Sequence, residues 1–147
     1  MKRILLFAIF LLALAPLAQI ANAAESAGLV VIVNPQSGVE KLSRDEIIDI
    51  FLGRYRKLPS GRVALPIDVA ETSAERARFY QLLVKKSPAE MSSYWARLVF
   101  SGQTSPPFQV PDAKTALELV QSSPNAIAYV DRSAVIANVK VVFEFKP

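Results

Sequence analysis

Neither histidine nor cysteine occurs among the 147 residues, so the chemistry open to this chain comes from hydroxyls, carboxylates, amides and guanidinium groups. Residue type alone excludes Ser-His-Asp and Cys-His catalysis, and with them zinc sites built on His and Cys. Carboxylate-only chemistry or a Ser-Lys pair is left, and no spacing singles one out. The richest run is Thr72-Ser73-Ala74-Glu75-Arg76, which follows a short apolar stretch at 63–69. Thr72 and Glu75 stand in the T-x-x-E spacing of a capping box. A strand that turns sharply into a helix leaves backbone N–H groups unpaired at the helix start. Those donors, with the positive end of the helix dipole, form an anion site. Two readings stay open for this run: an oxyanion-binding site, or a well-capped surface helix.

The elements around it follow from periodicity. Leu29-Val30-Val31-Ile32-Val33 is a continuous apolar run rich in β-branched residues, expected as a strand buried on both faces. The turn formers Asn34-Pro35-Gln36-Ser37-Gly38 end it. Ser43 and Glu46 form a capping box for a helix at 44–52, with Ile47, Ile50 and Phe51 on one face and Gly53 after its last turn. Asp45, Glu46 and Asp49 read as a solvated, dipole-matched face. The basic run Arg54-Tyr55-Arg56-Lys57 reads as a solvated loop or as a contact for an acidic partner or anionic ligand. The second strand leads into a helix with Ala77, Tyr80, Leu83 and Val84 inward. Ser87-Pro88-Ala89-Glu90 caps a third helix carrying Met91, Tyr94, Trp95, Leu98 and Val99 on one stripe. Residues 101–107 read as a loop. Asp112 caps a fourth helix with Ala116, Leu117 and Val120 inward. Ala126-Ile127-Ala128-Tyr129-Val130 and a partly alternating run at 139–145 close the order β-α-β-α-α-α-β-β. That order predicts an α/β domain, a small mixed sheet flanked by helices. Ligands of such sheets sit beyond the carboxyl ends of strands, which points to the segments 34–43 and 68–76.

Residues 1–23 are expected to lie outside the fold. Met1-Lys2-Arg3 is a positive start, an apolar stretch follows, and Ala21-Asn22-Ala23 has the small-x-small form of a cleavage site. These are the marks of a secretory signal peptide cut between Ala23 and Ala24. As a retained anchor the stretch would be short for a bilayer core of about 30 Å. Removing 23 of 147 residues leaves 124, enough for one domain with its own core. Lys2 and Arg3 leave with the leader, so 17 basic residues become 15 against 13 acidic ones, a net of +2. That is too weak to argue for nucleic acid or an anionic membrane as partner.

Three phrases, in order, resemble the periplasmic phosphate-binding proteins of ABC transporters. Leu42-Ser43-Arg44-Asp45-Glu46-Ile47-Ile48-Asp49-Ile50-Phe51-Leu52-Gly53 is similar to that family's "L-x-x-x-x-I-x-x-I-F-x-G" helix. Leu65-Pro66-Ile67 enters a Ser/Thr turn, with Phe79 inside the next helix. Pro124-Asn125-Ala126-Ile127-Ala128-Tyr129-Val130 is similar to the family's "P-G-A-I-G-Y-V". The resemblance implies a periplasmic-binding-protein type 2 fold. Full-length members have two α/β lobes closing on the ligand, and the 24–147 stretch resembles one lobe, as in the shorter phosphate ABC transporter substrate-binding protein-like proteins. In the family the second strand leads to Arg and then to Ser-Gly-Thr, which holds the phosphate. Counting back from Phe79 sets Ser73, Ala74 and Glu75 on Ser-Gly-Thr and Val69 on the Arg position. Only Ser73 is retained, and Glu75 brings a negative charge. Arg76 or Arg78 stands near enough in sequence to compensate.

Two functions are expected from this. The first is an exported solute-binding-like protein that takes phosphate or another oxyanion for ABC-type uptake or sensing, with Asn34, Ser37, Thr72, Ser73 and Arg76 as ligand residues and a transporter permease as partner. The second is a periplasmic protein-interaction module on the same fold, with Trp95, Tyr94 and the Arg54-Tyr55-Arg56-Lys57 run as contact elements. No cofactor, no metal and no enzymatic turnover are expected.

Overall fold

In the computed structural model, which describes residues 28–146, local sequence chemistry builds most of the elements where it predicts them. The strands are β1 (Leu29–Val33), β2 (Leu65–Val69), β3 (Phe108–Val110), β4 (Ala126–Asp131) and β5 (Lys140–Glu144). The helices are α1 (Arg44–Phe51), α2 (Ala74–Val84), α3 (Pro88–Phe100) and α4 (Ala113–Ser122). Single 3-10 turns occupy Pro35–Ser37 and Arg132–Ala134. The leader expected at 1–23 and its cut lie outside the described residues.

Caps appear as expected at three helices. Ser43 and Glu46 make both reciprocal bonds of a capping box on α1, and Ser87 and Glu90 do so on α3 with Pro88 in the first turn. Asp112 Oδ1 accepts from the Thr115 N–H at 2.8 Å at the start of α4. At α2 the cap falls one residue later than the T-x-x-E spacing suggests. Ser73 is the N-cap, and its hydroxyl accepts from the Arg76 N–H at 3.4 Å. The α1 helix ends at Gly53, whose φ of 71° suits only glycine without strain.

The sheet is mixed, in the order β3-β2-β4-β1-β5. β2 runs parallel to both β3 and β4, while β1 runs antiparallel to β4 and to β5. The chain steps from β2 to β3 in one direction across the sheet and from β3 to β4 in the other. Right-handed crossovers therefore put the α2–α3 pair and α4 on opposite faces. Every residue of β1 is buried accordingly, and so are Ala126, Ile127, Ala128, Tyr129 and Val130 of β4. On one face an aromatic cluster joins the elements: Phe79 of α2 stacks on Tyr129 of β4 at 3.8 Å between ring centroids. Phe51 of α1 meets the Phe79 ring edge-on at 4.9 Å. On the other face α4 packs through Ala116, Leu117 and Val120.

β3 is the element that periodicity misses. It holds three residues just after Pro106-Pro107, past the stretch read as a loop and assigned to no element, and pairs with β2 through Ile67↔Phe108 and Val69↔Val110. A short strand just past a proline pair is confined to a sheet edge, where β3 lies. Among the described residues no helix is long and apolar enough to cross a membrane.

Candidate functional site

β2 places a carboxylate in the core. Asp68 sits within the otherwise apolar strand and is 3% exposed. A buried charge without partners costs several kcal/mol, so partners must converge on it. Arg76, one turn into α2 and also 3% exposed, donates from Nε to Asp68 Oδ2 at 2.9 Å. The Tyr80 hydroxyl donates to the same oxygen at 2.9 Å. The Tyr129 hydroxyl donates to Oδ1 and accepts from the Val69 N–H at 3.5 Å. Burial first, and then the Asp68 charge, push Tyr80 well above the ordinary tyrosine range and Tyr129 above it as well. Burial works against the charged form of Arg76, and the Asp68 carboxylate overcomes it and raises the guanidinium above its ordinary value. Both hydroxyls thus remain donors and Arg76 remains a cation. The knot fixes α2 against β2 and β4, and with it the position of the α2 N-terminus.

That N-terminus opens at the carboxyl ends of β2 and β4. The turn closes with Ser73 N–H on Ala70 O at 2.9 Å, and Ala77 N–H makes the first helical bond to Ser73 O at 3.1 Å. Among the described residues no acceptor meets the N–H groups of Ala74 and Glu75. Thr72 is exposed beside them and Ser73 half-buried. The Glu75 side chain does not cap its own helix. It reaches to the end of β4, where it accepts from the Asp131 N–H at 2.8 Å. Burial raises the Glu75 pKa, with the Asp131 charge adding to the rise, while the Asp131 N–H and Arg78 oppose it. Asp131 is held below its ordinary value by the Ser133 hydroxyl and N–H, at 2.6 and 2.9 Å. A cleft of about 380 Å³ lies here, lined by Leu29, Ala74, Glu75, Arg78, Ala113, Asp131 and Ala134.

The other two candidate ligand residues stand elsewhere. β1 is antiparallel to β4, with Leu29 opposite Asp131 and Val33 opposite Ile127. The carboxyl end of β1 therefore lies at the opposite end of the sheet from the carboxyl ends of β2 and β4, about 13 Å away along the strands. Asn34 is buried there and joins the end of α4 to the turn after β1. Its Nδ2 donates to Val120 O and Gln121 O, each at 2.8 Å, and its Oδ1 accepts from the Gln36 N–H at 2.8 Å. Ser37 is fully buried, with Oγ accepting from the Val39 N–H at 3.2 Å. The structure brings together Thr72, Ser73 and Arg76, and sets Asn34 and Ser37 apart from them. Asp68, Tyr80 and Tyr129 form the supporting shell that sequence reasoning passed over. The signal was present: an aspartate inside Leu65-Pro66-Ile67-Asp68-Val69 has no low-energy place in a core unless donors meet it.

The contact elements expected for an interaction module divide in the same way. Trp95 is 6% exposed and belongs to the core, whereas Tyr94 is half-buried and donates its hydroxyl to Leu52 O at 2.7 Å. In the basic run, Arg56 is half-buried and bonded to the Ser105 carbonyl.

No protein-family model matches the chain, and no curated protein matches it. Solved structures do. An ABC-type phosphate transport receptor from Vibrio cholerae superposes with a TM-score of 0.62 at 17% identity, over 78% of this chain and 45% of that one. A Clostridium perfringens protein of the phosphate ABC transporter substrate-binding type, with bound phosphate, gives 0.60 at 20% identity, over 78% and 44%. PstS from Borrelia burgdorferi gives 0.59 at 12% identity, over 78% and 46%. The chain spans less than half the length of each of these proteins. At such identities the likeness speaks for the backbone, and the backbone is unambiguous: this chain has the fold of the phosphate ABC transporter substrate-binding proteins, over the extent of a single α/β domain.

Proposed function

We propose that this protein is an exported solute-binding domain that holds a small oxyanion, phosphate first among them, at the N-terminus of α2. One observation carries the reading: the Ala74 and Glu75 N–H groups, among the first of α2 and so without an intrahelical acceptor, face no protein acceptor among the described residues, while Glu75 turns its carboxylate to Asp131. The donors that an anion needs are left free, beside the hydroxyls of Thr72 and Ser73. Arg76 serves the site by anchoring the first turn, its buried guanidinium paired with Asp68. The Glu75 carboxylate works against this. A like charge at about 4 Å costs roughly 1 to 4 kcal/mol depending on screening, so affinity for phosphate is low while Glu75 is ionised. Export follows from the leader expected at 1–23, and a transporter permease or a periplasmic protein is the partner such a domain would serve. Neighbours described as a transport receptor and a substrate-binding protein support binding without turnover.

The test is a calorimetric titration of residues 24–147 with phosphate. Saturable heat is expected at millimolar ligand, weakened in Ser73→Ala and strengthened in Glu75→Gln. No heat from any of the three proteins would sink the reading. A second reading, the protein-interaction module, draws on a different observation. Phe100 is 97% exposed at the end of α3, next to Val99 at 53%. Cross-linking from periplasmic extract, with Phe100→Ser as the control, decides it: a partner lost in the variant supports the module, and capture that ignores Phe100 counts against it.

A further inference from the structure

The opposite end of α2 carries a second feature. Where α1 and α2 finish, a groove of about 530 Å³ opens against Tyr94 of α3. Its floor is apolar, formed by Ile48 and Leu52 from the end of α1 and by Leu83 and Val84 from the end of α2. Its rim is cationic: Arg44, Arg54, Lys85 and Lys86 line it, and no carboxylate does. The helix terminations put Arg54, Lys85 and Lys86 there, while Arg44 comes from the first turn of α1. Lys85 takes the left-handed conformation, φ 57°, and ends α2 with its N–H on Gln81 O and the Lys86 N–H on Tyr80 O. Gly53 ends α1 in the same way and releases Arg54.

Helix C-termini favour cations, and that accounts for part of the pattern. It does not account for the company they keep. Among the described residues none of the four cations has a carboxylate within ion-pair reach, and they surround an apolar floor in which Ile48 and Val84 are partly open to solvent over buried Leu52 and Leu83. Arg44 is held in place by donating to Leu82 O. A second groove of about 350 Å³ shares Lys86 and Tyr94 and continues along α3, with Glu90 the one acidic residue on its lining. The volume falls within the roughly 300–1,000 Å³ of small-ligand sites.

We propose that this groove binds an amphiphilic anion, its acidic headgroup at Arg54, Lys85 and Lys86 and its single apolar chain over Ile48, Val84 and the Tyr94 ring. Charge selects the headgroup, and the apolar floor favours a ligand with an apolar chain, whose burial there takes hydrocarbon out of water, a gain that a bare inorganic ion does not have. The site is distinct from the N-terminus of α2 and does not depend on phosphate binding there.

An NMR titration of isotope-labelled residues 24–147 with decanoate, below its aggregation concentration, tests this. Saturable shifts confined to Leu52, Val84, Lys86 and Tyr94 and their neighbours are expected. Acetate and a decyltrimethylammonium cation should not saturate. The double variant Arg54→Glu/Lys86→Glu, checked for folding by circular dichroism, should weaken decanoate by about tenfold or more, as two nearby charges are reversed. Shifts scattered over the surface, equal binding of the cation, or unchanged affinity in the folded variant would overturn the proposal. So would an acidic Glu/Leu peptide that fills the groove when decanoate does not, a result that assigns it to a protein partner.

Discussion

Replacing Asp68 by alanine tests the central physical claim about how the α2 N-terminus is held. The substitution removes the acceptor of three donors at once: Arg76 Nε at 2.9 Å, the Tyr80 hydroxyl at 2.9 Å and the Tyr129 hydroxyl. Arg76 is 3% exposed, so its guanidinium is left in the core without a counter-charge. Breaking a buried pair from one side costs about 3–5 kcal/mol. Against a total stability of about 5–15 kcal/mol for a domain of this kind, that is a large share. At about 4 °C per kcal/mol the midpoint should fall by about 10–20 °C. Urea unfolding followed by the fluorescence of Trp95, the one tryptophan in the chain, measures the loss. The companion variant Asp68→Leu/Arg76→Leu removes both charges together. It should recover most of the stability, because replacing a whole buried pair by apolar groups is close to neutral. The two tyrosine hydroxyls still lack an acceptor there and hold back about 1–3 kcal/mol. The coupling between the two sites is then read from a double-mutant cycle. An Asp68→Ala protein within about 1 kcal/mol of the parent would refute the reasoning. So would a double variant no more stable than the single one.

Other expectations follow from individual residues. Glu75 has a raised pKa in the folded state, so between its unfolded value near 4.5 and its higher folded value the native state holds the extra proton. Stability from this group is therefore present below the unfolded value and lost as pH rises through the folded one. Glu75→Gln should remove that loss, and the difference between the two proteins' urea midpoints should grow across that window and then level off. Gly53→Ala sets a side chain at φ 71° with its Cβ 2.8 Å from the Thr104 hydroxyl oxygen, and should cost about 1–3 kcal/mol in thermal unfolding. Asn34→Ala leaves Val120 O, Gln121 O and the Gln36 N–H without their side-chain partner. A loss of about 1–3 kcal/mol in urea unfolding is expected, and faster amide exchange at the end of α4 would localise it.

The legible part of this protein is the part whose physics is local. Ser43 with Glu46, Ser87 with Glu90 and Asp112 with Thr115 bond across three residues, so their types and spacing carry the whole message. The β-branched run of β1 announces burial on both faces without reference to its neighbours. The missed strand β3 lacks such a signal: it is three residues long and exists because it pairs with β2, as in Ile67↔Phe108, far back in the chain. Arg76 is a similar case. A guanidinium in the first turn of a helix reads as a surface group facing an anion, and only the register of α2 over β2 shows that its partner is Asp68. The apolar face of α2 is set by the same packing, centred on Phe79, Tyr80 and Leu83 with Arg76 among them.

By itself the sequence determined the sheet's strands bar one, the four helices with most of their caps, the absence of histidine and cysteine chemistry, and a polar turn ahead of α2 suited to an anion. Tertiary structure decided which end of the sheet each loop occupies. The segments after β1 and β2 look equivalent in the chain, since each is a Ser/Thr/Asn-bearing turn that follows an apolar strand. They part because β1 pairs antiparallel to β4, across about a hundred residues, with Leu29 opposite Asp131. Strand direction depends on how distant backbones satisfy each other's hydrogen bonds. No window of sequence around Asn34 or Ser73 contains that information. The destination of the Glu75 carboxylate was decided in the same way, by the N–H that the end of β4 presents to it.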